Sequence, residues 1–297
     1  MGVIEAHGLT KRYGETLALD GLDLDIAAGE VFGFLGPNGA GKTTTIRLLL
    51  GLHRPSAGDV RISGRDAWAD PVAVHRCCAY IASEPTLWPG LTGAETLEYL
   101  ANLRGGCDVA YRDRLVRRFD FDSSKKIRAL SKGNRQKVQL VAAFATRAAV
   151  LIMDEPTAGL DPLMEAAFRD TVAEARERGQ TVFLSSHVLS EVEALCDRVG
   201  ILRSGKLIDE GTLEQLRHLS ARTVEVNFTG QVDLAPLRQL NGVEVADATD
   251  HHLALQVRGD MGPLLSVLNG MPVTTLDSRE PSLEEIFLVH YNDGSPR

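Results

Sequence analysis

Three short stretches of this chain carry residue types that can handle phosphate. The first is "GPNGAGKTT", Gly36 to Thr44, which fits G-x-x-x-x-G-K-[ST]. Glycines at Gly36, Gly39 and Gly41 let successive backbone N–H groups turn inward around an anion, with Asn38 in the same loop. The start of a following helix adds its positive dipole end. Lys42 supplies a flexible point charge for β- and γ-phosphate oxygens. Thr43, backed by Thr44, offers a hydroxyl to Mg²⁺. The second stretch is "VLIMDEP", in which four apolar residues, Val150 to Met153, deliver Asp154 to the end of a buried strand. In open α/β sheets ligands bind at that carboxyl edge, so Asp154 is the expected partner of Thr43 in holding the metal. Glu155 comes next and is expected across the pleat, free to act as general base toward water. The third is "LSKGNRQKV", Leu130 to Val138, a serine, a glycine and three basic residues leading into an apolar helical pattern. This is a second phosphate-competent helix start, although one nucleotide site needs only one. Its plain alternative is a capped surface helix.

The elements needed to position these residues are legible around them. "VIEAHGL", "LDLDI" and "VFGFLG" read as strands, with a turn at Gly29-Glu30, and the last is nearly all apolar and therefore central. "TTTIRLLLGL" reads as a helix ending at Gly51, "AVLIMD" and "TVFLS" as buried strands, and "LMEAAFRDTVAEARERG" as a helix with a glycine stop. Residues 84–140 read as mostly helical, punctuated by Pro85, Pro89, Gly105 and Gly106. Strands alternating with helices predict a mainly parallel α/β sheet. The texture changes near residue 220, which divides the chain into 1–219 and 220–297. Beyond it, "TVEVNFT", "LAPLRQL", "VEVAD", "HLALQVR", "MGPLLSVLN" and "PVTTLDS" give the βαββαβ order of a ferredoxin-like α+β unit. "SLEEIFLVHY" reads as a closing amphipathic helix, and His251 and His252 as solvated residues at a strand start.

Composition narrows the function classes. Across 297 residues, 32 Lys+Arg against 40 Asp+Glu leave a net charge of −8, which disfavours a role built on nucleic-acid backbone. There is no apolar run of about 18 residues to span a membrane, and no basic-then-apolar leader pattern. The chain begins Met-Gly, but Ala6 stands where a myristoylation pattern needs Ser or Thr. The four cysteines, Cys77, Cys78, Cys107 and Cys196, form no CxxC pair and read as reduced thiols. Adjacent Cys77 and Cys78 are expected to point to opposite faces of an extended segment.

The phosphate loop, "LSKGNRQKV", "LIMDEPTAGLD" and "LSSH", in that order, resemble the ATP-binding cassette of ABC transporters over roughly residues 3–217. The C-terminal remainder, ending "LDSREPSLEEIFL", resembles the extension of drug-resistance type export ATPases. The resemblance implies a P-loop NTPase fold with a mixed sheet core and a helical subdomain, and an ATPase that uses ATP and Mg²⁺. It implies a homodimer closed around two ATP molecules and separate membrane-spanning permease subunits, with the chain cytoplasmic and peripheral on the inner face of the membrane. The family signature begins L-S-G-G-Q; here Lys132 replaces the first glycine and Asn134 the glutamine, while Ser131 and Gly133 are kept. In the family this helix start binds the γ-phosphate of the facing subunit's nucleotide. Tyr13 then corresponds to the aromatic that stacks on adenine, Asp161 to a loop acid crossing between subunits, and His187 to the histidine that senses the γ-phosphate. One position departs. Where the family carries a metal-contacting glutamine, the stretch "AYIASEPTLWPGLTGAETL" has Ser83 followed by Glu84, either of which can offer an oxygen to Mg²⁺. The groove from Ser83 to Leu97 is the expected permease dock. Two other classes remain. A soluble ABC-type ATPase working on nucleic acid or the ribosome usually carries two cassettes or a coiled-coil insertion, and this chain has neither. A generic kinase or GTPase is the other, and the N-K-x-D motif of GTPases is absent.

Overall fold

The computed structural model describes residues 2–219, 221–230, 233–280, 282 and 284–286. It separates into one compact unit running to Glu210 and a second beginning at Gly211.

The first unit contains two sheets. Strands β1 (Ile4–Tyr13) and β2 (Thr16–Ile26) pair antiparallel, and β3 (Val31–Leu35) opens the second sheet. Toward the end of β2 the buried residues Leu22, Leu24 and Ile26 alternate with exposed ones, as expected of a sheet with one face on the core. Helix α1 (Lys42–Leu49) follows β3, then β4 (Ala57–Ile62) and β5 (Arg65–Asp66) complete the four-stranded order β2-β1-β4-β5. Helix α2 (Pro71–Cys77) leads into β6 (Cys78–Ile81), at the rim of the second sheet.

Helices α3 (Gly93–Leu103) and α4 (Val109–Arg118) then both pack on α5 (Lys132–Ala145). From Glu84 to Leu91 the chain is loop, because Pro85 and Pro89 each remove a donor a helix would need. Helix α3 starts instead at a reciprocal cap between Thr92 and Glu95. Strands β7 (Val150–Asp154) and β8 (Thr181–Ser186) flank α6 (Pro162–Glu177). Helix α7 (Leu189–Leu195), β9 (Arg198–Arg203) and β10 (Lys206–Thr212) finish the six-stranded order β10-β9-β3-β8-β7-β6. The pairings of β3, β6, β7, β8 and β9 are parallel. Every residue of β3, β7 and β8 is buried, the continuous apolar run that a parallel strand covered on both faces requires.

Leu22, Leu24 and Ile26 share one core with Phe32, Phe34, Ile46, Leu49, Ile152 and Phe183. That core clamps α1 between the sheets, and each such side chain contributes about 1.5–3 kcal/mol on burial. The loop before α1 therefore hangs from a rigid frame.

Cys77 and Cys78 do not point apart. The pair straddles the junction of α2 and β6 rather than lying in one extended segment, and their sulfurs approach to 3.9 Å.

In the second unit α8 (Leu213–Leu219) precedes β11 (Arg222–Phe228), α9 (Ala235–Arg238), β12 (Val243–Ala248), β13 (His252–Val257), α10 (Gly262–Leu268) and β14 (Val273–Arg279). The order β12-β13-β11-β14 with antiparallel pairing is that of a βαββαβ unit, as the sequence predicts. Its inner face, Val224, Val226, Leu253, Leu255 and Val257, packs on Leu264 and Leu268 of α10. His252 opens β13. Of the closing helix expected over residues 282–291, Glu284 to Ile286 are helical, Ser282 precedes the helix, and residues 283 and 287–291 fall outside the described residues.

Candidate functional site

The loop from Gly36 to Gly41 joins the buried end of β3 to the first turn of α1, so its backbone amides gather at a helix start. Gly41 sits at φ 116°, and a Cβ there would lie 2.7 Å from the Ala18 carbonyl, so only glycine fits. Lys42 is 5% exposed and folds back into the loop, donating to the carbonyls of Gly36 at 2.6 Å and Pro37 at 3.2 Å. Burial lowers its ammonium pKa from the ordinary lysine value, opposed by the carboxylates of Glu155 and Asp154. A polyanion entering this loop would favour the charged ammonium further. Asn38 and Gly39 are exposed at the loop's tip, and Thr44 is half-buried behind it.

Asp154 is 1% exposed and receives two hydroxyl bonds, from Thr43 Oγ1 at 3.0 Å and Ser185 Oγ at 2.6 Å. Register places Ser185 opposite Asp154 on the neighbouring strand, so the fold itself orients the Asp154 carboxylate. Sequence reasoning missed this role for Ser185; the signal was its place in "LSSH", one strand away from "IMDE". A hydroxyl and a carboxylate side by side at a phosphate loop are hard oxygen donors, which fits Mg²⁺. Among the described residues no group of three or more His, Cys, Asp or Glu could cage a metal. The register of Ile81 opposite Met153 brings Ser83 to this same sheet edge. Glu84 is exposed in the loop beyond, and among the described residues no hydrogen bond joins either to Thr43 or Asp154.

Glu155 does not follow the pleat. Strand β7 stops at Asp154, and Glu155 adopts φ 48°, its N–H donating to the Ser185 carbonyl at 3.0 Å. A left-handed turn, not strand alternation, therefore aims its carboxylate. A non-glycine residue held in that region costs about 1–3 kcal/mol, and such strain gathers at working sites. Glu155 Oε1 lies 3.7 Å from Lys42 Nζ and 3.1 Å from His187 Nδ1. The His187 side chain is 52% exposed at the end of β8, open to a ligand.

A second group of the expected residues assembles elsewhere. Ser131 caps α5, accepting from the Asn134 N–H at 3.2 Å, and is exposed. A Cβ on Gly133 would stand 2.5 Å from the Gly159 carbonyl, so the helix start lies directly on the turn after Glu155. Fully buried Gln136 adds a bond from its Nε2 to the Pro156 carbonyl at 3.0 Å. Asp161 closes that turn by capping α6, accepting from Leu163 and Met164 N–H at 3.1 and 3.0 Å. Among the described residues no hydrogen bond or ion pair joins Ser131, Gly133 or Asp161 to the Lys42 cluster. Tyr13 ends β1 with 41% of its surface exposed, and among the described residues no hydrogen bond or ion pair joins it to either group.

The geometry thus supports a phosphate cradle, a hydroxyl–carboxylate pair for a hard cation, and a carboxylate–histidine pair facing it. Residues 19–158 match the family model for ABC transporters. Residues 211–291 match that for the C-terminal domain of DrrA1-3-like ATP-binding proteins. The chain is 37% identical to the daunorubicin resistance ATP-binding protein DrrA3 of Streptomyces coeruleorubidus, covering 96% of this chain and 94% of that one. It is 33% identical to the bacitracin transport ATP-binding protein BcrA of Bacillus licheniformis, covering 99% and 98%. A solved ATP-binding subunit of an ABC transporter superposes with TM-score 0.68 at 34% identity, covering 72% of this chain and 92% of that one. The relatives, the matched models and the fold agree: this chain belongs to the ABC transporter ATP-binding proteins, ATPases coupled to transport, and carries a DrrA-like C-terminal domain.

Proposed function

We propose that this ATPase powers an exporter, pairing with a second copy of itself around two ATP molecules on the cytoplasmic face of separate permease subunits. Lys42 and the amides from Gly36 to Thr44, with Asn38 and Gly39 at the tip, hold the β- and γ-phosphates. Thr43 and Asp154 hold Mg²⁺, with Ser83 or Glu84 as a further oxygen. When bound, that ion draws charge from the phosphate oxygens. Glu155 takes the proton of the attacking water, His187 senses the γ-phosphate beside it, and Tyr13 stacks on the base. Ser131 and Gly133 face the partner's γ-phosphate, and Asp161 reaches across the same interface. The names of the DrrA3 and BcrA relatives, in drug resistance and peptide-antibiotic transport, support an export role. No helix among the described residues is long and apolar enough to cross a membrane, in keeping with a permease made of other chains.

The observation that carries the reading is the placement of Ser131. It caps a helix start whose amides could take phosphate, is exposed, and is fastened to the turn after Glu155, yet among the described residues no hydrogen bond or ion pair joins it to its own chain's Lys42 cluster. A two-fold pair supplies the missing phosphate from the partner. If two copies build each site, ATPase activity per mole of chain rises with protein concentration and levels off once pairing is complete. Specific activity independent of concentration, with the protein monomeric throughout, contradicts the proposal.

A further inference from the structure

Tyr13 is the last residue of β1, next to Gly14 at φ 55°, and is partly open to solvent. An exposed aromatic at a turn has rotamer freedom, and each immobilised side chain costs a ligand about 0.5–1.5 kcal/mol. Here the ring is already fixed. Its phenol oxygen lies 2.5 Å from His53 Nδ1, and the two rings meet edge to face, with centroids 5.8 Å apart at 75°. With the phenol donating, Nδ1 is the acceptor and Nε2 carries the hydrogen. The Lys11 ammonium stands 4.9 Å from the Tyr13 ring centroid and is itself tied to the Arg54 carbonyl at 2.7 Å. A cation on one face leaves the other for a stacking partner and draws electron density from it, which favours an electron-rich purine.

His53 is anchored in turn. Its backbone N–H donates at 3.3 Å to the carbonyl of Arg47 in α1, the helix that begins with Lys42. One continuous segment, 42–53, thus carries the phosphate lysine at one end and the support of the aromatic ring at the other. Burial chiefly, with the nearby Arg47 and Lys11 cations, lowers the imidazole pKa and keeps the ring a neutral acceptor for the phenol.

We propose that His53 is a positioning residue for the nucleobase, fixing the plane of Tyr13 through the phenol–imidazole hydrogen bond. The proposal rests on the reading of Tyr13 as the base-stacking residue. Calorimetric titration of the full chain with ATP and with inorganic tripolyphosphate, which has no base, tests the two separately. His53→Leu should weaken ATP binding by roughly three- to ten-fold and leave tripolyphosphate binding unchanged. His53→Asn, whose Oδ1 takes the place of Nδ1 as acceptor, should restore most of the loss. If Tyr13→Ala weakens ATP binding but His53→Leu does not, the role of His53 is overturned while that of Tyr13 stands. If Tyr13→Ala also leaves ATP binding intact, the stacking role falls and that of His53 with it. Equal losses for ATP and tripolyphosphate in His53→Leu would place His53 in the support of the phosphate loop, against the proposal.

Discussion

Replacing Glu155 by glutamine will lower ATP hydrolysis by roughly 10²–10⁴-fold while ATP still binds. The carboxylate is aimed by a left-handed turn, and its Oε1 faces both the Lys42 ammonium and the His187 ring. Glutamine keeps the length and the planar head but cannot accept water's proton, so the chemistry fails where the geometry survives. Because the turn is set by the backbone bond from Glu155 N–H to the Ser185 carbonyl, the substitution leaves the fold in place. Steady-state phosphate release and nucleotide titration on the same preparation separate the two effects. A variant hydrolysing ATP at near the parent rate would remove Glu155 from the role of base.

The second large effect is at Ser131. Ser131→Arg will abolish ATP-dependent pairing and with it hydrolysis, while ATP binding to the isolated chain changes by no more than about twofold. The serine is exposed and, among the described residues, its hydroxyl bonds only within its own helix cap, so the arginine is accommodated without burial. In a closed pair it would stand where the partner's γ-phosphate must approach. Loss of the cap costs about 1 kcal/mol of local helix stability, too little to unfold the unit. Melting temperature, single-site affinity and oligomer mass read the three consequences independently. Should hydrolysis persist, the helix start does not meet a phosphate at all.

Local pattern explains what could be read from sequence. The glycine loop, the apolar run before Asp154 and the alternating strands of the second unit each state their structure within a dozen residues. That is why the phosphate cradle and the βαββαβ order were legible. The residues that pattern missed depend on pairing across long separations. Ser185 reaches Asp154 only through the register of β8 on β7, and His53 reaches Tyr13 only because the chain turns back after α1. Glu155 was misplaced on the pleat because a left-handed glutamate has no sequence signal of its own; the strand's end is decided by the Ser185 carbonyl. Cys77 and Cys78 were misjudged for a related reason. Alternation holds within one strand, and the α2–β6 junction falls between them.

The same dependence explains why Gly133 looked like a phosphate residue alone. It also lies against Gly159, so the helix start packs directly on the turn that follows Glu155. In the proposed pair, each chain would thereby link its own catalytic turn to the surface it offers its partner.

The central claim, that the second phosphate site acts on a partner's nucleotide, is tested most directly by the solution mass of the Glu155→Gln chain with and without ATP and Mg²⁺. Blocked hydrolysis should hold the closed state, so the account predicts a monomer without nucleotide and a dimer with it. A chain that binds ATP yet keeps the mass of a monomer at every concentration tested would contradict it.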